Sequence, residues 1–280
     1  MRTAQDFMVE IPVLKHTDQM TKARQILRDD RFREVYVVDA KKNLLGYIDI
    51  TDGLRVTATK SNITIEGFVR EAPRALPEDP IEQVAKAMRQ YRTDSSAIMD
   101  CKSHILGGVL LADLFPVIIS RNELHGPVSR QMSTDVVAAG PEDALQKISA
   151  LIVESGFTAF PVLKKKTLVG LISRRDLISS KRVRTAIAQH AGTTIGDVMA
   201  REVFTIGADE PISAAAELIV KHDVSLLPVT EDGHVVGVVN RHDILGALAL
   251  RTARGRAAGP GTNKGTESPG GHVPAHMNNR

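Results

Sequence analysis

Cysteine is nearly missing from the 280 residues: Cys101 stands alone, which excludes an internal disulfide and any multi-cysteine zinc site and agrees with a reducing compartment. No apolar run reaches the ~18 to 20 residues that a bilayer span needs. The best candidate, Val109 to Ile119, is interrupted by Asp113 and Pro116. A secretory leader is not expected either, because Asp6 and Glu10 break the apolar stretch after Arg2. These absences predict a cytoplasmic protein. A charge surplus is also lacking where it would matter. Residues 251 to 280 hold Arg251, Arg254, Arg256, Lys264 and Arg280 against Glu267, a surplus of +4 within the overall +3, so the first 250 residues sum to −1. A nearly neutral body, with no aromatic interleaving and no reader motif, argues against nucleic-acid binding. Catalytic signatures are missing too: there is no Ser-His-Asp order, no phosphate loop of the Walker type, and no metal-like spacing among His16, His104, His125, His190, His222 and His234. Neither an enzyme nor a bound metal or cofactor is expected.

What is present is repetition. Gly46, Gly107, Gly170 and Gly237 each precede an aspartate by six residues, at Asp52, Asp113, Asp176 and Asp243. Each glycine also follows an anchor by 38 residues: Met8, Val69, Met132 and Met199. An apolar extended segment ends seven residues before each glycine, as in Val35-Tyr36-Val37-Val38 and Leu227-Pro228-Val229. Fixed spacings of this kind mark a repeated supersecondary unit. An acid lies ten residues after each anchor (Asp18, Asp79, Glu142, Asp209), with a proline close by in three units, and this predicts helix starts. Ile212, Ala215, Ala216, Ile219 and Val220 show the helical period that follows.

Each unit therefore reads β-α-β-β-α. The short first strands are expected at Val13-Leu14, Ala75-Leu76, Val136-Val137 and Phe204-Thr205. The boundaries are 3–56, 66–119, 127–180 and 195–250, followed by a disordered basic tail over 251–280. Arg182 to Ala188 is expected as a helix connecting repeats. Units of about 50 residues bury too little surface alone, so they should pair.

The anchor, the extended Pro-Val segment and the Gly-x-x-Ser-x-x-Asp ending together resemble the CBS-domain family over nearly all of residues 3 to 250. The resemblance implies an α/β fold of the α+β type, with four CBS repeats paired into two Bateman modules in a disk. The gamma subunit of AMP-activated protein kinase and archaeal four-repeat CBS proteins are built alike. It also implies AMP, ADP, ATP, S-adenosylmethionine or another adenosyl ligand, and in some members none.

By that resemblance Asp176 and Asp243 take the ribose hydroxyls, which suits an acceptor-only carboxylate. Ser173, Arg174, Arg175, Asn240, Arg241, His242 and Arg201 are the phosphate candidates. Thr134, Ala139, Thr158 and Ala159 are expected to line the third-repeat pocket, and Ser225 and Leu226 hold the matching place in the fourth. Read without the resemblance, Ser173-x-x-Asp176 and Asn240-x-x-Asp243 are capping-box spacings, and the arginines are solvated charges. Asp49 and Leu110 replace the hydroxyl in the first two units, so the first module is expected to bind an uncharged adenosyl group weakly or to act as a packing partner. Arg33 stands where the family often contacts phosphate, with a surface pair to Glu34 or Asp30 as the alternative. The function expected is a regulatory adenine-nucleotide sensor acting through repeats three and four, with a protein partner and room for a homodimer. A ligand-independent scaffold is the competing expectation.

Overall fold

Four copies of one chain path make up the computed structural model, which describes residues 2–29, 31–56, 62–121, 123–179 and 192–254, together with Val183, Thr185 and Ile187. Most of the expected connecting helix, and the tail from residue 255, lie outside the described residues. Repeat 1 comprises β1 (Val13–Lys15), α1 (Met20–Ile26), β2 (Glu34–Val38), β3 (Leu44–Asp49) and α2 (Ile50–Arg55). Repeat 2 follows with β4 (Arg74–Ala75), α3 (Ile81–Tyr91), β5 (Ser95–Met99), β6 (Ile105–Leu110) and α4 (Leu111–Ser120). Repeat 3 contains α5 (Leu145–Ser155), β7 (Ala159–Lys164), β8 (Thr167–Ser173) and α6 (Arg174–Ser179). Repeat 4 contains β9 (Ile206–Gly207), α7 (Ile212–His222), β10 (Leu226–Glu231), β11 (His234–Asn240) and α8 (Arg241–Arg254).

In repeats 1, 2 and 4 the first strand runs parallel to the second and the second antiparallel to the third. The third repeat departs from this: its first strand shrinks to one bridge, Ala139 to Val162, and the expected strand at Val136-Val137 does not form. In the fourth, the strand sits at Ile206–Gly207 and not at Phe204-Thr205. A bulge recurs at one place in all four hairpins, between Val37 and Val38, Ile98 and Met99, Val162 and Leu163, and Val229 and Thr230.

The acids expected to start helices act one step earlier. Asp18 accepts the Lys15 N–H at 2.9 Å and Asp79 the Leu76 N–H at 2.8 Å, closing the turn between strand and helix. The N-cap residues are Gln19, Pro80, Ala144 and Pro211, and no side-chain cap bond forms there. In repeat 3 the turn acid is Asp143, on the Gly140 N–H, and not Glu142.

A 3₁₀ turn precedes each anchor, at Ala4–Phe7, Glu66–Phe68, Val128–Arg130 and Ile195–Asp197. Each turn docks on the partner repeat of its module: Ala4 N–H donates to Asp79, Ile65 N–H to Asp18, Val128 N–H to Glu210 and Ile195 N–H to Asp143. The lead-in segments are thus exchanged within pairs 1–2 and 3–4. The repeated glycines follow from this exchange. A Cβ on Gly46 would lie 2.0 Å from the Arg70 carbonyl oxygen, and one on Gly107 2.7 Å from that of Val9. Gly170 faces Met199 and Ala200, and Gly237 faces Met132 and Ser133. Each anchor packs on its partner's glycine, not on the glycine 38 residues ahead of it. Gly46→Ala is expected to destabilise the protein by about 1–3 kcal/mol through this overlap; a urea midpoint equal to wild type would refute the packing argument.

The modules meet repeat to repeat. One continuous apolar cluster joins repeats 2 and 4, with Leu114, Phe115 and Ile118 of α4 and Ile212, Ala215, Ala216 and Ile219 of α7 among its buried members. Repeats 1 and 3 share less: Ile178 belongs to the core of repeat 1, and Leu54 packs against that core and against the core of repeat 3. Among the described residues no helix is long and apolar enough to cross a membrane.

Candidate functional site

All four repeats contribute walls to one cleft of about 420 Å³. Repeats 1 and 2 supply Tyr47, Asp49, Asp52, Arg70, Tyr91 and Asp94. Repeat 3 supplies Ser133, Asp135, Thr158, Ala159, Pro161 and Arg174, and repeat 4 supplies Ser225, Leu226, Asn240, Arg241, His242 and Asp243. Strand ends and helix starts deliver these groups because every β-β-α corner turns at the same glycine-to-aspartate distance.

Nine of the expected site residues line this cleft: Thr158, Ala159, Arg174, Ser225, Leu226, Asn240, Arg241, His242 and Asp243. Ser173, Arg175, Asp176, Arg201, Thr134 and Ala139 are not among its walls. The lead-in exchange is the reason. Ser133 pairs with Val238 of repeat 4, so the segment after Met132 runs past the Asp243 corner and not past Asp176. Thr134 is exposed, and Ala139 is held in the strand bridge, its N–H donating to Pro161. Arg201 is exposed and donates to the Gly196 carbonyl at 3.0 Å.

Both capping boxes form. Asp176 Oδ2 accepts the Ser173 amide and hydroxyl, each at 2.7 Å. Asn240 Oδ1 accepts the N–H groups of His242 and Asp243, while Asp243 Oδ2 accepts the Asn240 N–H at 2.9 Å. No hydrogen bond is found on Asp243 Oδ1 among the described residues, which leaves that corner acceptor capacity beyond its cap. Burial holds the Asp243 carboxyl above its usual range.

Arg174, Arg175, Arg241 and Arg33 are all paired with acids. Arg174, 8% exposed, donates to Asp49 at 3.0 Å and Thr51 at 3.3 Å across the module junction. Arg241, 4% exposed, donates to Asp223 at 2.8 Å and lies 3.8 Å from Asp94. Arg175 reaches Asp223 at 3.2 Å. Arg33 is buried and pairs with Asp94 at 3.0 Å and Asp223 at 3.3 Å, not with Glu34 at the surface; Asp30 lies outside the described residues. His242 Nε2 lies 3.1 Å from the Thr93 carbonyl oxygen.

The hairpin registers place Glu34, Ser95, Ala159 and Leu226 opposite Asp49, Leu110, Ser173 and Asn240, which makes them equivalent positions. The residues just before them are Arg33, Asp94, Thr158 and Ser225. Module 1 therefore fills its centre with an ion network, and module 2 leaves small neutral side chains at the same places. The network is strongly polarised. Burial and then the Asp94 charge push Glu34 up to about 7. Burial would also raise Asp94, but Arg241, Arg33 and His242 outweigh it and hold it at about 2. Arg33 falls to about 10, chiefly by burial.

These two carboxyls oppose each other in pH dependence. Asp94, lowered, contributes stability that is present above its ordinary 3.8 and is lost as pH falls toward 2. Glu34, raised, makes the fold less stable as pH climbs from 4.5 to about 7. Glu34→Gln is expected to flatten the fall in unfolding free energy between pH 4.5 and 7 in urea titrations; an unchanged slope would remove Glu34 as its source.

Comparison with known proteins matches the repeated fold. A family model for the CBS domain matches residues 4–58, 128–182 and 195–250, the first, third and fourth repeats. Protein MJ1225 of Methanocaldococcus jannaschii is 21% identical over 259 residues, covering 82% of this chain and 92% of that one. Its crystal structure, of a protein put forward as an archaeal homologue of γ-AMPK, superimposes at a TM-score of 0.77 and 17% identity over 88% of this chain and 99% of that chain. An uncharacterized conserved protein from Pyrococcus horikoshii superimposes at 0.63 and 17%, over 88% and 100%. An inosine-5′-monophosphate dehydrogenase of Korarchaeum cryptofilum is 27% identical over 111 residues, which is 39% of this chain and 22% of that enzyme.

Proposed function

The chain belongs to the CBS-domain family, and from that premise we propose that it is a regulatory protein that binds an adenine nucleotide through repeats 3 and 4, in the cleft that all four repeats wall. The observation that carries the reading is Asp243: a carboxylate on the rim of a helix start, with acceptor capacity beyond its cap, in a cleft whose neighbouring positions are Thr158, Ala159, Ser225 and Leu226. It is the ribose acceptor. Arg174 and Arg241 lie on the same walls, already paired with Asp49 and Asp223, so they set the charge that a phosphate would meet without being free to grip it. A ligand there touches walls from both modules, so it is coupled to their packing, and a protein partner that prefers one packing gains or loses affinity by the same factor.

The charge of the walls ranks the ligands. Asp49, Asp52, Asp94, Asp135, Glu154 and Asp243 face Arg55, Arg70, Arg92, Arg174 and Arg241. With acids slightly in excess, added phosphates gain little, so AMP is expected to bind at least as tightly as ATP. The same balance favours S-adenosylmethionine, a cation, as the second reading.

Calorimetric titration of the full chain with AMP, ATP and S-adenosylmethionine tests this. Asp243→Ala removes charged hydrogen bonds worth about 1.5–3 kcal/mol each, an affinity loss of at least tenfold. Absence of heat with all three ligands, or equal affinity in Asp243→Ala, would overturn the reading.

A further inference from the structure

The four corners are built alike, but the residue that the exchanged lead-in lays beside each differs. The bridges Tyr47 to Arg70, Gly108 to Val9, Leu171 to Ala200 and Ser133 to Val238 make Arg70, Val9, Ala200 and Ser133 equivalent. Repeat 1 alone receives a long cation. Its Nη2 donates to Asp52 Oδ2 at 2.7 Å and lies 2.9 Å from Asp49 Oδ1. The guanidinium sits over the Tyr47 ring, 4.6 Å from its centroid. Asp52 is the repeat 1 counterpart of Asp243, with a side chain 1% exposed, while Arg70 is 41% exposed. A carboxylate that accepts two donors beside an aromatic face is the arrangement a ribose and its base would meet. Here Arg70 supplies one donor to Asp52 and the stacking cation, while Arg55 on Oδ1 and the Asp49 N–H on Oδ2 complete the carboxylate's partners.

We propose that Arg70 is an internal occupant of the repeat 1 corner, and that this side chain, rather than the shape of the corner, decides that no ligand enters there. The inference rests on the reading of Asp243 as a ribose acceptor. With Arg70 removed, Asp52 Oδ2 keeps only the Asp49 N–H and regains acceptor capacity on the side that Arg70 covers. Asp49, in the place of Asn240, keeps the corner negative and disfavours a 5′-phosphate, so the class of ligand admitted is an uncharged nucleoside. Asp49 retains Arg174 at 3.0 Å and Asp52 retains Arg55 at 3.3 Å, so neither acid is stranded by the change.

The experiment is titration of the full chain with adenosine. Arg70→Ser, which copies the residue beside Asp243, is expected to bind one more adenosine per chain than wild type, and the gained site is expected to vanish in Arg70→Ser/Asp52→Asn. The converse variant, Ser133→Arg, is expected to lower affinity at the Asp243 cleft at least hundredfold by installing the same plug. Arg70→Ser protein with a wild-type melting curve and no added site would overturn the proposal, as would Ser133→Arg protein that binds like wild type. If Arg70→Ser does not fold, Ser133→Arg still decides. A gained site in Arg70→Ser with no binding by wild type would uphold this proposal and defeat the nucleotide reading; wild-type binding without a gain would do the reverse.

Discussion

Asp94→Ala is expected to destabilise the protein by about 3–5 kcal/mol, read as a lowered urea midpoint, because it strands cations that have no route to water. Arg33 and Arg241, 9% and 4% exposed, both turn toward this carboxylate, at 3.0 and 3.8 Å. Without it they lose a shared counter-charge and repel each other in a low-dielectric setting, where Arg33 is already held down to about 10. Asp223 cannot substitute fully, since it is half exposed and already holds Arg33, Arg175 and Arg241. The large cost belongs to breaking a buried pair on one side, not to a net advantage of ion pairs over apolar packing. Asp94→Asn, equal in volume, separates the charge from the space and is expected to recover less than half of the loss. A destabilisation under about 1 kcal/mol in Asp94→Ala would mean that water or Asp223 rescues both arginines.

The repeats were legible because they come from local physics. Close approach of the partner's lead-in crowds a Cβ at positions 46, 107, 170 and 237, most severely at 46, the apolar period of Ile212 to Val220 follows the helical turn, and Asp243 closes its own cap. The site was legible on one wall only. Asn240, Arg241, His242 and Asp243 lie in a continuous stretch, so their grouping survives in sequence. Ser133, Asp135, Arg70 and Tyr47 reach the cleft through exchange of lead-ins between repeats, or across the module junction, and spacing along a chain carries no record of either. For the same reason the 38-residue spacing carries no sign that each anchor rests on a partner's glycine. One signal for Arg70 was present: it is the only charged residue directly after an anchor, where Val9, Ser133 and Ala200 stand in the other units. The basic pair Arg174-Arg175 pointed to phosphate because its acids, Asp49 and Asp223, are distant in sequence. Burial of a cation is fixed by what folds over it, which its neighbours in sequence do not disclose.

Arg174→Ala is expected to cost about 3–4 kcal/mol and to loosen repeat 1 from repeat 3 before the rest of the molecule unfolds. Arg174 leaves repeat 3 to reach Asp49 and Thr51 of repeat 1, and the charges of Asp94 and Glu34 also act on it; together these hold its guanidinium protonated despite its burial. The apolar contact beside it is small, with Leu54 and Ile178 at its centre, whereas repeats 2 and 4 share one continuous core. Loss of the pair therefore falls on the weaker half of the junction. Hydrogen exchange is expected to accelerate in α2 and α6 while α4 and α7 keep their protection. The partner change Asp49→Leu leaves Arg174 facing Asp94 and Glu34 but also removes the N-cap of α2 and a contact of Arg70, so the coupling is read from the double cycle and not from the single costs. In Arg174→Met/Asp49→Leu an apolar pair replaces the charged one, and the double variant is expected to be more stable than the sum of the single effects by at least about 1 kcal/mol. Strict additivity in that cycle, or equal exchange in all four helices, would show that the junction is held by its apolar surface and that Arg174 is incidental to it.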